Sequence, residues 1–374
     1  MLTFSSLLSS LKFFLTAAII SAALTPLVRK IGISIDAVAK ENSRTVHHGQ
    51  IVRIGGLAIF CAFFVTMAFF MKADSTINAI MVGGFIVFIG GLIDDIYDLK
   101  PIIKFAIQTI GALYVVLVGG IRLSEINLSF IHIDFSVISI LISIFWIVGV
   151  TNAINLIDGL DGLSCGISSI VLIVVGLIAL FMGRRDVCII AIILLGSILG
   201  FLPYNFHPAK LFVGDSGALF MGFMIACLSL MGFKTSTFIS LGFPIIILFV
   251  PLADTSLAII RRKVSGHKIS EADRSHLHHV LMYKLGLSHK TVVLVLYLVT
   301  FLFGVCAVLT YFHETAGLIM LLILCIIAWI FIELTGMINP KFHPLVSLCR
   351  KIIGWPKKSD DAIFEANKIT HKES

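Results

Sequence analysis

Charge is scarce in this sequence. Asp, Glu, Lys and Arg make up 13% of its 374 residues, about half of what a soluble domain carries. Apolar residues reach 58%, and the mean hydropathy is +1.06. A soluble globular protein is thereby excluded. Cysteine pairs are lacking too. The seven cysteines are odd in number and scattered, and no Cys-x-x-Cys occurs, which argues against a disulfide framework or a thiolate metal site. They read as soft core hydrophobes. No ten-residue segments alternate apolar and polar, so a transmembrane barrel is excluded. There is no internal repeat and no separate soluble domain. The N-terminus lacks a positive start ahead of a short apolar core, its only early charge being Lys12. The small residues of "SAALTP" are therefore expected to close an uncleaved first span, not a cleaved secretion signal.

What the chain does have is long apolar runs. A membrane-spanning helix needs about 20 mostly apolar residues, and eleven such runs are expected. They lie near 9–28, 51–71, 77–96, 102–120, 137–154, 165–182, 186–202, 217–233, 236–258, 291–312 and 315–335. The expected fold is an all-α polytopic bundle of about eleven transmembrane helices. Residues 1–340 form the membrane-embedded unit, and 341–374 form a basic, partly disordered tail. Lys and Arg fix the orientation. The loops 29–53, 94–104, 155–164, 203–216, 259–290 and the tail share one side and hold 22 of the 28 Lys and Arg residues. That side is cytoplasmic, so the N-terminus faces out and the C-terminus in. Arg184 and Arg185 are the one local dissent.

The polar motifs all fall on that side. "GGLIDDIYDLK", residues 90–100, ends the third run in Asp94, Asp95 and Asp98. A continuing helix brings the three carboxylates together, and such a group invites a metal ion or a cation such as Lys100 or Lys104. "TNAINLIDGLDGLSCG", 151–166, repeats Asn152, Asn155, Asp158 and Asp161 every third residue, one polar stripe on a helix or a tight helical turn, and Gly159 and Gly162 let the backbone turn sharply or approach a ligand closely. Its hard oxygen donors suit magnesium and phosphate chemistry. "PYNFHPAKLFVGDSGALFMGF", 203–223, places Asp215 and Ser216 at a helix start. Either residue can simply cap that helix, or the exposed N–H groups can receive an anion beside a cation held by Asp215. The loop 261–286 is basic, with Arg274 among its cations, and its "HLHH" supplies His276, His278 and His279. Zinc is disfavoured there, because no His-Glu-x-x-His spacing is present. Imidazoles binding phosphate or sugar fit better. A further basic segment, 40–56, adds Lys40, Arg44, His47, His48 and Arg53. Each motif alone has a plainer reading as a solvated helix end, a turn or a positive-inside loop. Their convergence on one face points to a site where carboxylates gather a divalent cation and basic residues gather phosphates.

These motifs resemble a known family. "GGLIDDIYDL", "NAINLIDGLDGL", "LFVGDSGALFMG" and "DRSHLHHVLM" are similar in order and spacing to the motifs of the polyprenyl-phosphate N-acetylhexosamine-1-phosphate transferases. The histidine segment is nearest to the WecA-like branch, which uses UDP-N-acetylglucosamine and undecaprenyl phosphate. The resemblance covers roughly residues 10–335. It implies an integral membrane enzyme of a bacterial inner membrane that moves a sugar-1-phosphate from a UDP-amino sugar to undecaprenyl phosphate. UMP leaves, and the product begins a surface glycan such as O-antigen, common antigen, teichoic acid or capsule. The implied cofactor is Mg2+ or Mn2+. The implied metal ligand is Asp215, with Asn155 near the diphosphate. Asp94 is the implied base for the lipid phosphate, or, with Asp95, a positioner of acceptor or metal. Asp158 and Asp161 organise the nucleotide-sugar site, and His276, His278 and His279 bind phosphate or sugar. Asn152, Arg274, Lys104 and Arg44 complete the expected substrate-binding set. The expected partners are the two substrates and the bilayer, with a homodimer compatible and no nucleic acid. An ion-coupled secondary transporter is the rival class, and a histidine-based membrane metalloprotease is weaker still. Acids at one face instead of the midplane, and the missing inverted repeat, count against a transporter.

Overall fold

A computed structural model describes residues 4–39, 51–72, 74–123, 125–128, 131–134, 138–232, 242–264, 266, 276–338 and 344–347. The chain forms α1 (Phe4–Ser34), α2 (Gly56–Phe70), α3 (Ser75–Tyr97), α4 (Pro101–Leu117), β1 (Glu125–Leu128), β2 (Ile131–Asp134), α5 (Ser139–Leu156), α6 (Leu163–Phe181), α7 (Arg185–Asn205) and α8 (Gly214–Gly232). Then follow α9 (Gly242–Ile247), α10 (Phe249–Val264), the single turn α11 (Leu277–His279) running into a π-helical turn (Val280–Lys284), α12 (His289–Phe312) and α13 (Glu314–Thr335). Among the described residues, eight helices are long and apolar enough to cross a membrane, while α2 and α4 are apolar but shorter. The protein is an all-α polytopic membrane protein.

Each expected run falls on a helix, with two departures. The ninth, 236–258, is not one rod: α9 stops at Ile247 and α10 starts at Phe249, while 233–241 lie outside the described residues. The second departure is an antiparallel hairpin between α4 and α5, pairing Glu125 with Asp134 through to Leu128 with Ile131. It is too short to leave a mark on a hydropathy profile.

The helix α8 is the hub. Of its most apolar stretch 89% is buried, against 6% for α13. It packs on α3, α5, α6 and α2, while α1 lies along α7 and α12 along α6. Aromatic rings of α2, α3 and α8 interlock beside it: Phe60 stacks on Phe88 at 3.8 Å, and Phe220 meets Phe60 and Phe63 edge-on at 5.3 and 5.6 Å. Close approach of α3 to the start of α8 depends on Gly91, where a methyl group would come within 2.6 Å of Ser216 Cα. In α1, Pro26 cannot donate to the carbonyl of Ala22, and the Tyr204 hydroxyl takes that carbonyl instead at 3.3 Å.

Among the described residues the helix α13 is nearly bare along its length, but its C-terminal end is held. Lys284 Nζ donates to the Thr335 carbonyl at 2.9 Å, and Arg261 donates to the Met337 carbonyl at 3.2 Å. Cations at a helix C-terminus satisfy carbonyls that have no partner within the helix. The buried Glu333 accepts the Leu345 and Val346 N–H groups at 3.1 and 2.9 Å and the Trp329 indole N–H at 2.5 Å. These bonds pin the helical turn 344–347, the described part of the expected tail.

Candidate active site

The α3 C-terminus, the α4 N-terminus, the α5 C-terminus and the α8 N-terminus meet at one end of the bundle. There Lys104 Nζ lies 2.7 Å from Asp94 Oδ2 and 2.6 Å from Asp215 Oδ2. Asn155 Nδ2 donates to the other oxygen of Asp215 at 3.1 Å. Asp94 is buried, and its second oxygen accepts the Leu99 N–H at 2.7 Å. Four of the expected site residues, from four helices, thus form one ionic cluster.

Asp95 points elsewhere. It accepts the Asp215 N–H at 2.7 Å, the Ser216 N–H at 3.0 Å and the Ser216 hydroxyl at 2.6 Å. The first N–H groups of α8, which the sequence could have offered to an anionic ligand, are therefore taken by a carboxylate of α3. Capping and the helix dipole both favour this. Gly214, at φ +71°, makes the turn into α8, and a methyl group there would strike the Arg53 carbonyl and the Asp95 carboxylate.

Two sequence expectations are corrected. Asp98 does not join Asp94 and Asp95. The helix α3 ends at Tyr97, Asp98 adopts a left-handed conformation at φ +49°, and its exposed carboxylate pairs with Arg53 at 3.2 Å. Nor do Asn152, Asn155, Asp158 and Asp161 form one stripe, because α5 stops at Leu156 and a turn follows. Asn152 is engaged one helical turn deeper, with Gln108 of α4 at 2.5 Å and the Val148 carbonyl at 2.8 Å. Asp158 accepts the Ser164 hydroxyl at 2.5 Å. Asp161 accepts the Ala209 N–H at 3.1 Å and pairs with His207 Nδ1 at 2.7 Å.

A cavity of about 590 Å³ opens beside the cluster, lined by Asp158, Asp161, His207, Phe212, Asp215 and His279 among others. Asp94 and Lys104 are not in its lining, so Asp215 stands between the cavity and the Asp94–Lys104 pair. Burial, aided by the charges of Asp215 and Asp161 and opposed by the Ser164 hydroxyl, pushes the Asp158 carboxyl up to about 7.

The histidine segment packs onto this wall. His276 Nδ1 lies 2.9 Å from Asp254 Oδ2, whose other oxygen accepts the Leu277 N–H at 2.7 Å. His278 is buried with its ring against Gly159. Burial, with the neighbouring His279 and other imidazoles, pulls its pKa down to about 3 against the opposing charge of Asp254. The ring is therefore neutral at physiological pH. His279 lines the cavity and stacks near Tyr283. Arg44 and Arg274 lie outside the described residues.

Sequence reasoning missed Asp254, His207 and His289. Asp254 carried a signal, being a lone acid in an apolar helix. His207 and His289 did not, since their proximity arises only in the fold. With Asp161 they bring three potential metal-ligand atoms within 4.8 Å of one another. Yet the two imidazoles stack, with centroids 4.1 Å apart and planes 20° apart, so their in-plane lone pairs run side by side instead of converging. The oxygen cluster at Asp215 is the better fit for a hard cation.

Residues 77–233, from α3 through α8, match the family described as glycosyl transferase family 4. The chain is also 40% identical over 345 residues to a Bacillus subtilis (strain 168) protein named probable undecaprenyl-phosphate N-acetylglucosaminyl 1-phosphate transferase, covering 91% of this chain and 96% of that one. The chain belongs to glycosyl transferase family 4. Family 4 membership makes it a sugar-phosphate transferase. It is 34% identical over 344 residues to a Mycobacterium leprae (strain TN) protein named decaprenyl-phosphate N-acetylglucosaminephosphotransferase, covering 82% of this chain and 85% of that one. A Staphylococcus saprophyticus protein named phospho-N-acetylmuramoyl-pentapeptide-transferase is 35% identical over only 166 residues, 44% of this chain and 49% of that one. The similarity within family 4 therefore runs further along relatives named for N-acetylglucosamine.

Proposed function

We propose that the protein transfers N-acetylglucosamine-1-phosphate from UDP-N-acetylglucosamine to undecaprenyl phosphate, releasing UMP, at the cytoplasmic face of a bacterial inner membrane. The observation that carries this reading is the Asp94–Lys104–Asp215–Asn155 cluster, placed where four helices end and beside a cavity whose lining includes Asp158, Asp161 and His279. One substrate carries its phosphate at the membrane surface, and the other comes from water. A charged cluster at the helix ends serves both. The printed names of the relatives supply the acceptor class and the sugar.

The chemistry is one displacement at phosphorus. An oxygen of the lipid phosphate attacks the sugar-bearing phosphorus of the UDP-sugar. That P–O bond forms as the bond to the UMP oxygen breaks, and the product is a lipid-linked diphosphate sugar. No proton need be removed first, since a phosphate monoester with a second pKa near 6 is mostly dianionic at neutral pH. Asp94 then serves best by fixing the acceptor side, and Asp95 by holding the start of α8, and with it Asp215, in place.

Mg2+ fits the site. Asp215 offers hard carboxylate oxygens, and Asn155 would offer its amide oxygen once the amide turns from its present N–H contact with Asp215. Asp215 opens onto the cavity, and the cluster already holds a cation, the Lys104 ammonium, at 2.6 Å. Asp215 would hold the ion with Asn155 beside it, and when bound it would supply charge neutralisation at the diphosphate and the leaving UMP. On the cavity side, Asp158, Asp161 and the histidines bind and orient the nucleotide-sugar. The site faces the cytoplasm because the loops that carry it lie on the side that holds 22 of the 28 Lys and Arg residues.

Purified protein in detergent should release UMP from UDP-N-acetylglucosamine only with undecaprenyl phosphate and Mg2+ both present. UMP release without the lipid would sink the reading. A panel of UDP-amino sugars run alongside tests the choice of sugar.

A further inference from the structure

The position of Lys104 raises a problem that the transfer reaction does not answer. Its ammonium contacts one oxygen of each of two carboxylates, at 2.7 and 2.6 Å. One of them, Asp215, is the residue the reading above assigns to the metal. A cation bound to Asp215 and an ammonium at hydrogen-bond distance from the same carboxylate repel each other. Asp94 adds to the hold: it is buried, and its remaining oxygen is fixed by the Leu99 N–H, so it cannot follow Asp215 freely. Lys104 is partly exposed, on the first turns of α4, with Ile102, Ile103 and Phe105 exposed around it. Its long side chain therefore has room to swing toward the membrane side, away from the cavity whose lining it does not join.

We propose that Lys104 is a tethered counter-cation that occupies the Asp94–Asp215 pair in the resting enzyme, yields to the divalent ion, and then receives the phosphate of the lipid acceptor. The inference rests on the assignment of Asp215 to the metal. Charge counting supports the exchange. Two carboxylates and one lysine sum to −1. Adding a divalent ion makes the same group +1, and the displaced ammonium is free to meet an anion. Metal binding and acceptor binding then strengthen one another through one side chain, and linkage requires the effect to be reciprocal. An acceptor phosphate arriving before the ion meets a lysine already engaged in a group whose net charge of −1 repels it. The device thus favours the fully loaded site over either half-loaded one. The phosphate could in principle come from the UDP-sugar side; Lys104 lies across Asp215 from the cavity, which favours the lipid.

The test uses full-length protein in detergent at pH 8, with Mn2+ as the probe and free Mn2+ read by electron paramagnetic resonance. Binding is compared for wild type, Lys104→Met and Lys104→Arg, alone, with farnesyl phosphate and with UMP. Without substrate, Lys104→Met should bind Mn2+ roughly 5- to 150-fold more tightly than wild type, the usual range for a coupling between sites. Lys104→Arg, which keeps the charge, should stay near wild type. Farnesyl phosphate should tighten Mn2+ binding to wild type and lose most of that effect in Lys104→Met. Unchanged or weaker Mn2+ binding in Lys104→Met overturns the proposal. Tightening by UMP but not by farnesyl phosphate overturns the assignment to the lipid. Adding Asp215→Asn to Lys104→Met should remove the tight binding. If Asp215→Asn alone binds Mn2+ like wild type, the metal assignment has failed, an outcome distinct from failure of the exchange.

Discussion

Replacing Asp95 by asparagine separates a residue that builds the site from one that reacts in it. Asp95 is buried and accepts three hydrogen bonds at the start of α8, from the Asp215 N–H, the Ser216 N–H and the Ser216 hydroxyl. Asparagine keeps the shape and one acceptor oxygen. It loses the charge, and it turns an NH₂ group toward donors. Hydrogen bonds to a charged group contribute about 1.5–3 kcal/mol each. Bonds sharing one carboxylate are not additive, so a net loss of about 3 kcal/mol is expected, not the sum. At roughly 2 °C per kcal/mol for a large chain, the melting temperature in detergent should fall by about 6 °C. Turnover should fall with it, because Asp215 sits on the turn that has come loose. Asp215→Asn, by contrast, should melt within about 2 °C of wild type, since its side chain holds no helix end. The assay pairs thermal melting in detergent with UMP release for both variants. An Asp95→Asn protein with unchanged melting and intact UDP-sugar binding but no turnover would refute the clamp and make Asp95 a reacting group.

Asp94→Asn should cost on the order of 10² in turnover, the loss expected when a reactant is misplaced by about 1 Å, while leaving UDP-N-acetylglucosamine binding by calorimetry largely intact, because Asp94 does not line the cavity. Equal loss of nucleotide binding in Asp94→Asn and Asp215→Asn would mean that both serve one shared site. Asp254→Asn should lower activity by about 10- to 100-fold, as expected for a group that orients a functional histidine. Adding His276→Ala should then cost little more, and full additivity of the two would break the link. Chelation by EDTA should stop UMP release, and Mg2+ or Mn2+ should restore it; activity that survives exhaustive chelation would remove the metal from the reading.

The spans were legible because apolar length in a membrane protein has no competing explanation, and the motifs because acids and amides stand out against a lipid-facing background. The failures share a cause. Asp98 was placed with Asp94 and Asp95 on the assumption that α3 continued, but an aspartate tolerates the left-handed conformation that ends it there. The three-residue repeat after Asn152 was expected to keep its four polar residues on one stripe, but the chain turns after Leu156, as Gly159 and Gly162 permit, and the side chains part. Spacing within a segment predicts neighbours only while the segment keeps its geometry. The pairs that build the site join distant segments: Lys104 with Asp215, Asp95 with Ser216, Asp161 with His207 and Asp254 with His276. No local pattern specifies them. The role of Asp95 shows the limit most clearly. Its neighbour Asp94 is chemically identical and one residue away, yet the 100° turn of the helix sends one to a lysine and the other to a helix end.

The bareness of α13 has a mechanical consequence. At 1.5 Å per residue, its 22 residues reach about 33 Å, close to the thickness of a bilayer's hydrocarbon core. A helix with so little protein around it adjusts to a thinner or thicker bilayer by tilting. Its C-terminal end, however, is fastened through the Thr335 and Met337 carbonyls to Lys284 and Arg261. Tilt must therefore pivot about that fastening, and Lys284 closes the π-helical turn that follows His279 directly. The lipid-bathed helix is a lever whose short arm ends at the cavity wall. Turnover should accordingly vary with acyl-chain length in nanodiscs, and Lys284→Met should flatten that dependence.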